Sequence, residues 1–170
     1  MNLIVMKFGG TSLGNIDKIK NVASIVEKES KSSKIIVVLS AMEGVTNQLQ
    51  DYLERIDSGP SPENDLVLTS GEQVSVGLLS AILKKKGIRS IPILGWQIPI
   101  ITDEYYEKAK ILNINKKNID THFKKVDVIV LAGFQGINTK GYISSLGRGG
   151  SDTTAVAIAC LLYTSDAADE

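Results

Sequence analysis

Residues 2–12 read NLIVMKFGGTS, an apolar run that ends in a lysine, a pair of glycines and two hydroxyls. The run predicts a strand over NLIVMKF and a turn through GGTS. Gly9 and Gly10 let the backbone approach a ligand and aim amides at an anion. Lys7 sets a cation beside them, as a transferring phosphoryl group requires. The order is not G-x-x-x-x-G-K-[ST], because the lysine precedes the glycines and stands on the strand. Read alone, Lys7 is a solvated strand-end charge and GGTS an ordinary turn with a helix cap.

Outward from this stretch, short β-rich runs alternate with helical periods. Ile16, Ile19, Ala23 and Val26 recur at helical spacing behind Asn15, a predicted N-cap. KIIVVLS (34–40) is a continuous apolar run of the kind buried on both faces of a parallel sheet. A short helix is expected over Val45–Ile56, then a loop at DSGPSPEN (57–64). A long helix is expected over Leu66–Lys86, with Val74, Leu78, Ile82 and Leu83 on one face and Gly87 as its stop. IRSIPIL (88–94), GWQIPIITD (95–103), KILNIN (110–115) and VDVIVLAGF (126–134) are strand candidates, with a helix near 116–123. GYISSLGRGGSDTTAVAIA (141–159) reads as a strand or hairpin, a glycine-rich turn, and a helix beginning near Ser151. The grammar is that of an α/β sandwich with a mainly parallel sheet. GGTS, SAMEGVTN (40–47), GFQG (133–136) and GRGGSD (147–152) all follow strands. Loops at the carboxyl edge of such a sheet make one pocket.

Composition narrows the partners. The 19 basic and 19 acidic residues cancel, which leaves no electrostatic case for nucleic acid or an anionic membrane. The lysines at 84–86 and 116–117 read as solvated helix-terminal charges. One cysteine, Cys160, permits no internal disulfide and fits a reducing cytoplasm. No signal peptide is expected, and no apolar run is expected to reach the length of a membrane span.

GRGGSD carries the second constellation. Arg148 offers a planar fork for a carboxylate, and Ser151–Asp152 open a helix whose amides favour the same anion. The structural alternative is a glycine-rich turn before a capped helix; the dinucleotide pattern G-x-G-x-x-G fails at Asp152. Glu72, in TSGEQ (69–73), is either a solvated helix residue or a counter-charge for an ammonium group. Ser40 and Thr46 could fix a small polar ligand or cap the next helix. The single histidine, His122, lies in a charged helical stretch, and no Ser–His pair, histidine metal cluster or thiol nucleophile assembles. Phosphoryl transfer to a carboxylate fits that economy, since an ionised carboxylate needs no base to become a nucleophile.

MKFGGTSLGN, LSAMEGVTNQL, SGEQVSVGLLSAIL, GWQIPIITD, VLAGFQGI and GRGGSDTTAVAIA stand in the order seen in aspartate kinases, which this chain resembles. These are members of the amino acid kinase superfamily, whose fold is a three-layer αβα sandwich. The resemblance implies transfer of phosphate from ATP, with Mg²⁺, to the side-chain carboxylate of L-aspartate, the first step towards lysine, methionine and threonine. It implies that Lys7 neutralises the transferring phosphoryl, and that Gly9, Gly10, Thr11, Ser12, Gly149 and Gly150 surround the phosphates. Arg148 would grip an aspartate carboxylate and Glu72 its ammonium. Ser40, Thr46 and Phe134 would line that pocket. Asp152 would organise the charges, while Ser151 and Thr153 complete the loop. No protein-held metal ion is expected.

The resemblance covers 1–159, read as the N-terminal, aspartate-binding part of the kinase domain. CLLYTSDAADE (160–170) departs from it and resembles a translated sequencing adapter, so it is read as a non-native tail. The nucleotide-binding half and the C-terminal ACT domains, which give the family feedback control and much of its homo-oligomer contact, are expected in the parent protein. The fragment itself is expected to be inactive. Two alternatives stay open: a kinase acting on another amino acid such as glutamate, and a non-catalytic amino-acid-binding fragment.

Overall fold

The structure is a computed structural model that describes residues 2–166. Strands β1 (Asn2–Phe8), β2 (Ser33–Leu39), β3 (Ser90–Ile93) and β6 (Val128–Ala132) form a wholly parallel sheet in the order β1-β2-β6-β3. The central strands β2 and β6 are nearly uniform runs of Ile, Val and Leu because both of their faces are covered. Pro92 lies on β3, at the sheet edge, where a missing N–H costs no ladder bond.

Alternate residues of β2 serve two cores. Ile35, Val37 and Leu39 pack with α1 (Ile16–Glu29) and α4 (Ser70–Lys85) through Ile19, Val22, Val26, Val76, Leu79 and Leu83. Ile36 and Val38 face the opposite core, with Ile119 of α5 (Lys116–Phe123) and Ile158 and Leu162 of α6 (Gly150–Asp166). Helices therefore cover both faces of the parallel sheet, giving three αβα layers. Asn15 caps α1 as expected, its side chain accepting from Lys18 N at 2.9 Å.

A second, mixed sheet holds β5 (Ile111–Ile114), β4 (Ile100–Thr102), β7 (Gln135–Asn138) and β8 (Ile143–Ser145) in that order. β4 pairs antiparallel with β5, and β7 antiparallel with β8. GFQG is therefore not a free loop: Gln135 and Gly136 already belong to β7, and only Gly133 and Phe134 turn the chain out of β6.

The region after α2 (Val45–Arg55) differs from the sequence reading in two ways. Within the stretch read as a loop, Ser61 caps a further helix, α3 (Pro62–Leu68), with Pro at its first turn and Asn64 N bonded to Ser61 Oγ. The face of α4 is also rotated. Leu83 is buried as expected and Leu78 and Ile82 pack partly buried against the core, but Val74 is 53% exposed, and Gly71, Glu72, Ser75, Val76 and Leu79 are buried as well. The hydrophobic period is ambiguous because α4 packs on α2 and α3 as well as on the sheet, and those contacts accept small and polar side chains. Pro62–Lys85 is also long and apolar enough to cross a membrane by composition, against expectation, but half of its most apolar stretch is buried inside the protein. It is a core helix pair joined at Thr69.

The last helix runs without a break from Gly150 to Asp166, and Leu162 is buried in the second core. The segment read as a foreign tail thus includes helical residues 160–166; residues 167–170 lie outside the described residues.

Candidate functional site

In the parallel sheet, Phe8, Leu39 and Ala132 stand in register at the carboxyl ends of β1, β2 and β6. The segments that leave these ends border a cavity of about 640 Å³. Lys7, Ser40, Thr46, Glu72, Phe134, Arg148, Gly149, Gly150, Ser151 and Asp152 all line it. Ten residues nominated from the sequence thus converge on one space, from segments as far apart as β1 and α6.

Lys7 crosses from β1 to the first turn of α6, where its Nζ lies 2.9 Å from Asp152 Oδ1. The side chains are 27% and 67% exposed, so the pair is held at the cavity wall and reachable from it. A side chain at Gly9 would come within 3.2 Å of Lys7 Nζ, so glycine there leaves the ammonium room. Gly9, Gly10, Thr11 and Ser12 are not among the cavity-lining residues. Gly10–Leu13 is a short 3-10 turn closed by Ser12 N to Gly9 O, with Thr11 and Ser12 exposed. Leu13 anchors this turn in the core, which is the structural role the sequence left open for GGTS.

Glu72 lies in the first turn of α4 and is only 3% exposed. Its Oε1 accepts from Ala41 N at 3.0 Å, whereas Oε2 is buried without a hydrogen-bond partner. Burial raises its pKa from 4.5 to about 7. A buried carboxylate oxygen bordering a polar cavity is a built acceptor for a cationic ligand group.

Arg148 stands between Gly147 and Gly149, both in the left-handed region (φ 75° and 76°). At Gly147 a side chain would also meet Glu107 O at 2.9 Å, so the turn that presents Arg148 requires glycine there. Phe134, itself at φ 68°, is clamped by Leu146 N donating to its carbonyl and by its own N–H donating to Thr154 Oγ1. Gly150 lies directly against its ring edge.

Five lining residues lie outside the loops nominated from the sequence, Gln50 and Glu54 of α2, Leu68 of α3, Glu107 and Ser145, while Asn47 and Gly147 fall within those loops without having been singled out. The α2 set carried a usable signal, since Gln50 and Glu54 continue at helical spacing from Asn47, the last residue of a loop already nominated for ligand binding. Glu107 and Ser145 carried none, as only tertiary packing brings them to the wall. With Lys7 and Arg148 opposed by Glu54, Glu72, Glu107 and Asp152, the lining suits a small zwitterion that carries both carboxylate and ammonium groups.

The chain is thus a three-layer αβα sandwich with a polar cavity at the carboxyl ends of its parallel strands, lined by a strand lysine and a glycine-flanked arginine. The chain belongs to the amino acid kinase family, which it matches over residues 2–165. It is 45% identical over 164 residues to an aspartokinase of Bacillus sp. (strain MGA3), covering 95% of this chain and 40% of that protein. It is 46% identical over 173 residues to an aspartate kinase of Pseudomonas putida, covering 96% of this chain and 42% of the other. The crystal structure of an aspartate kinase from Synechocystis superposes with a TM-score of 0.77 at 37% identity, covering 96% of this chain and 27% of that one. E. coli aspartokinase III, solved with aspartate and ADP, shares the fold with a TM-score of 0.72 at 21% identity, over 89% of this chain and 45% of that one. The chain spans about 40% of the length of the curated relatives it matches.

Proposed function

We propose that this chain is the L-aspartate-binding part of an aspartate kinase, which transfers the γ-phosphoryl group of ATP to the side-chain carboxylate of L-aspartate. The observation that carries this reading is the convergence of Glu72, Arg148 and Lys7 on one cavity. Glu72 Oε2, buried and unpartnered, takes the substrate ammonium. Arg148 takes a carboxylate with two parallel N–H donors, and Ser40, Thr46, Phe134 and Ser151 fill the walls between. Lys7, steadied by Asp152, neutralises charge on the phosphoryl group in flight. One oxygen of the side-chain carboxylate attacks the γ-phosphorus, the bond to the bridging oxygen of the β-phosphate breaks, and 4-phospho-L-aspartate and ADP result. Gly9, Gly10, Thr11, Ser12, Gly149 and Gly150 belong to the phosphate side of this reading, around Lys7.

Among the described residues, no group of three or more His, Cys, Asp or Glu side chains could hold a metal ion. In this reading Mg²⁺ enters with the nucleotide, held chiefly by its phosphates. The same reading carries a cytoplasmic location and a homo-oligomeric parent regulated through ACT domains. It keeps 1–159 as kinase sequence and 160–170 as a foreign tail, which sequencing the source DNA across those codons decides.

Calorimetric titration of this chain tests the substrate assignment. L-aspartate is expected to bind at least tenfold more tightly than L-glutamate, with Arg148→Ala abolishing the difference. Preference for glutamate would move the substrate within the family. Absence of any amino-acid binding would overturn the reading of the cavity.

A further inference from the structure

A second buried carboxylate lies beneath the cavity. Asp65, on α3, is fully buried and its hydrogen-bond donors are all uncharged. Oδ1 accepts from Glu107 N at 3.0 Å and from Ser145 Oγ at 2.7 Å, and Oδ2 accepts from Ser145 N at 2.8 Å. Burying an anion on neutral donors alone is costly, and it persists only where the donors are fixed in place. These donors come from segments 42 and 80 residues along the chain.

Both segments are cavity walls. Glu107 lines the cavity from a left-handed backbone (φ 61°), and its carboxylate accepts from Asn64 Nδ2 at 2.8 Å, one residue before Asp65. Ser145 ends β8 and leads through Leu146 and Gly147 to Arg148. Gly147 in turn rests on the Glu107 carbonyl. On the other side, α3 passes through Thr69, whose carbonyl accepts from Gln135 Nε2 at 3.2 Å, into the turn that carries Glu72. One carboxylate thus ties the turn bearing Arg148 to the helix pair bearing Glu72.

We propose that Asp65 is a positioning residue that sets the separation of Glu72 and Arg148, and thereby selects ligands that carry an ammonium and a carboxylate at that span. The proposal rests on the reading of Glu72 and Arg148 as the two ligand contacts. Asp65 touches no ligand itself.

Asp65→Asn is the incisive variant, because its NH₂ must face a backbone N–H, whichever way the amide is turned. L-aspartate engages both ends of the span, whereas succinate lacks the ammonium and engages Arg148 alone. NMR titration of the full chain is expected to show about tenfold weaker L-aspartate binding in Asp65→Asn, the size of a lost buried hydrogen bond. Succinate binding should change less than about twofold. In an Arg148→Ala background the same change should cost L-aspartate nothing further. Equal losses for both ligands, or additive losses in the double variant, would overturn the proposal in favour of a purely structural role.

Should Asp65→Asn fail to fold, Ser145→Ala removes one donor, and a two- to threefold loss confined to L-aspartate is expected. Hydrogen exchange supplies a ligand-free check. Amides 145–150 should exchange faster in Asp65→Asn while those of β2 and β6 do not, and unchanged exchange at 145–150 overturns the tie. If wild type binds no L-aspartate, the functional reading fails, and the exchange result still decides whether Asp65 holds the turn.

Discussion

Replacing Glu72 by glutamine separates what this residue costs the fold from what it does for a ligand. The folded protein holds the Glu72 proton more tightly than the unfolded chain, with a pKa raised from 4.5 to about 7 by burial. The sign follows from linkage: stability fully present below pH 4.5 is lost as pH rises towards 7, because the folded state must then ionise a group that prefers to stay neutral. At about 1.4 kcal/mol per pH unit, the shift corresponds to about 3 kcal/mol. The glutamine side chain of Glu72→Gln does not titrate, and its carbonyl can still accept from Ala41 N. Its NH₂ would occupy the place of the unpartnered Oε2 at a cost of about 1–3 kcal/mol, but that cost does not depend on pH. Urea unfolding of both proteins at pH 4.5 and pH 8 isolates the titration. The stability of Glu72→Gln relative to wild type should rise by about 3 kcal/mol between these conditions. A difference that stays constant within about 0.5 kcal/mol would refute the assignment of a buried, proton-retaining Glu72.

Two further outcomes follow from the same geometry. If a ligand ammonium meets Glu72 Oε2, binding must expel the Glu72 proton. L-aspartate affinity should then fall about tenfold per pH unit below pH 7, with one proton released at pH 6 and none at pH 9, measured by calorimetry in buffers of different ionisation enthalpy. Gly147→Ala places a Cβ 2.9 Å from Glu107 O at a left-handed φ of 75°, so a loss of about 2 kcal/mol in unfolding free energy is expected, with weaker amino-acid binding through the displaced Arg148.

Much of the fold was legible because the signals are local. The apolar runs of β1, β2 and β6 need no knowledge of their neighbours to be read as strands, and Asn15 announces α1 by its own side chain. Lys7 and Arg148 were legible for a similar reason, since glycines beside a long cation leave a local trace. The face of α4 was not legible. Val74 lost to Val76 and Leu79 because burial there is decided by α2, α3 and the sheet together. Gly71 shows the constraint directly: a Cβ would fall 2.8 Å from that of Ala41, so the first turn of α4 is buried by close approach, while Val76, Leu79 and Leu83 further along are buried in the hydrophobic core. β7 was missed because four short residues gain their strand identity only from β4 and β8 on either side.

The sequence by itself determined the α/β class, the strands of the parallel sheet, the family, and most of the side chains that line the cavity. Those properties are written in periodicity and in neighbours a few residues away. Only the tertiary structure decided which carboxylates are buried. Glu72 is a solvated helix residue until Ala41 and the cavity wall remove its water, and Asp65 has no role until Glu107 and Ser145 arrive from 42 and 80 residues away. Desolvation depends on atoms that surround a group in space, and no spacing along the chain encodes it.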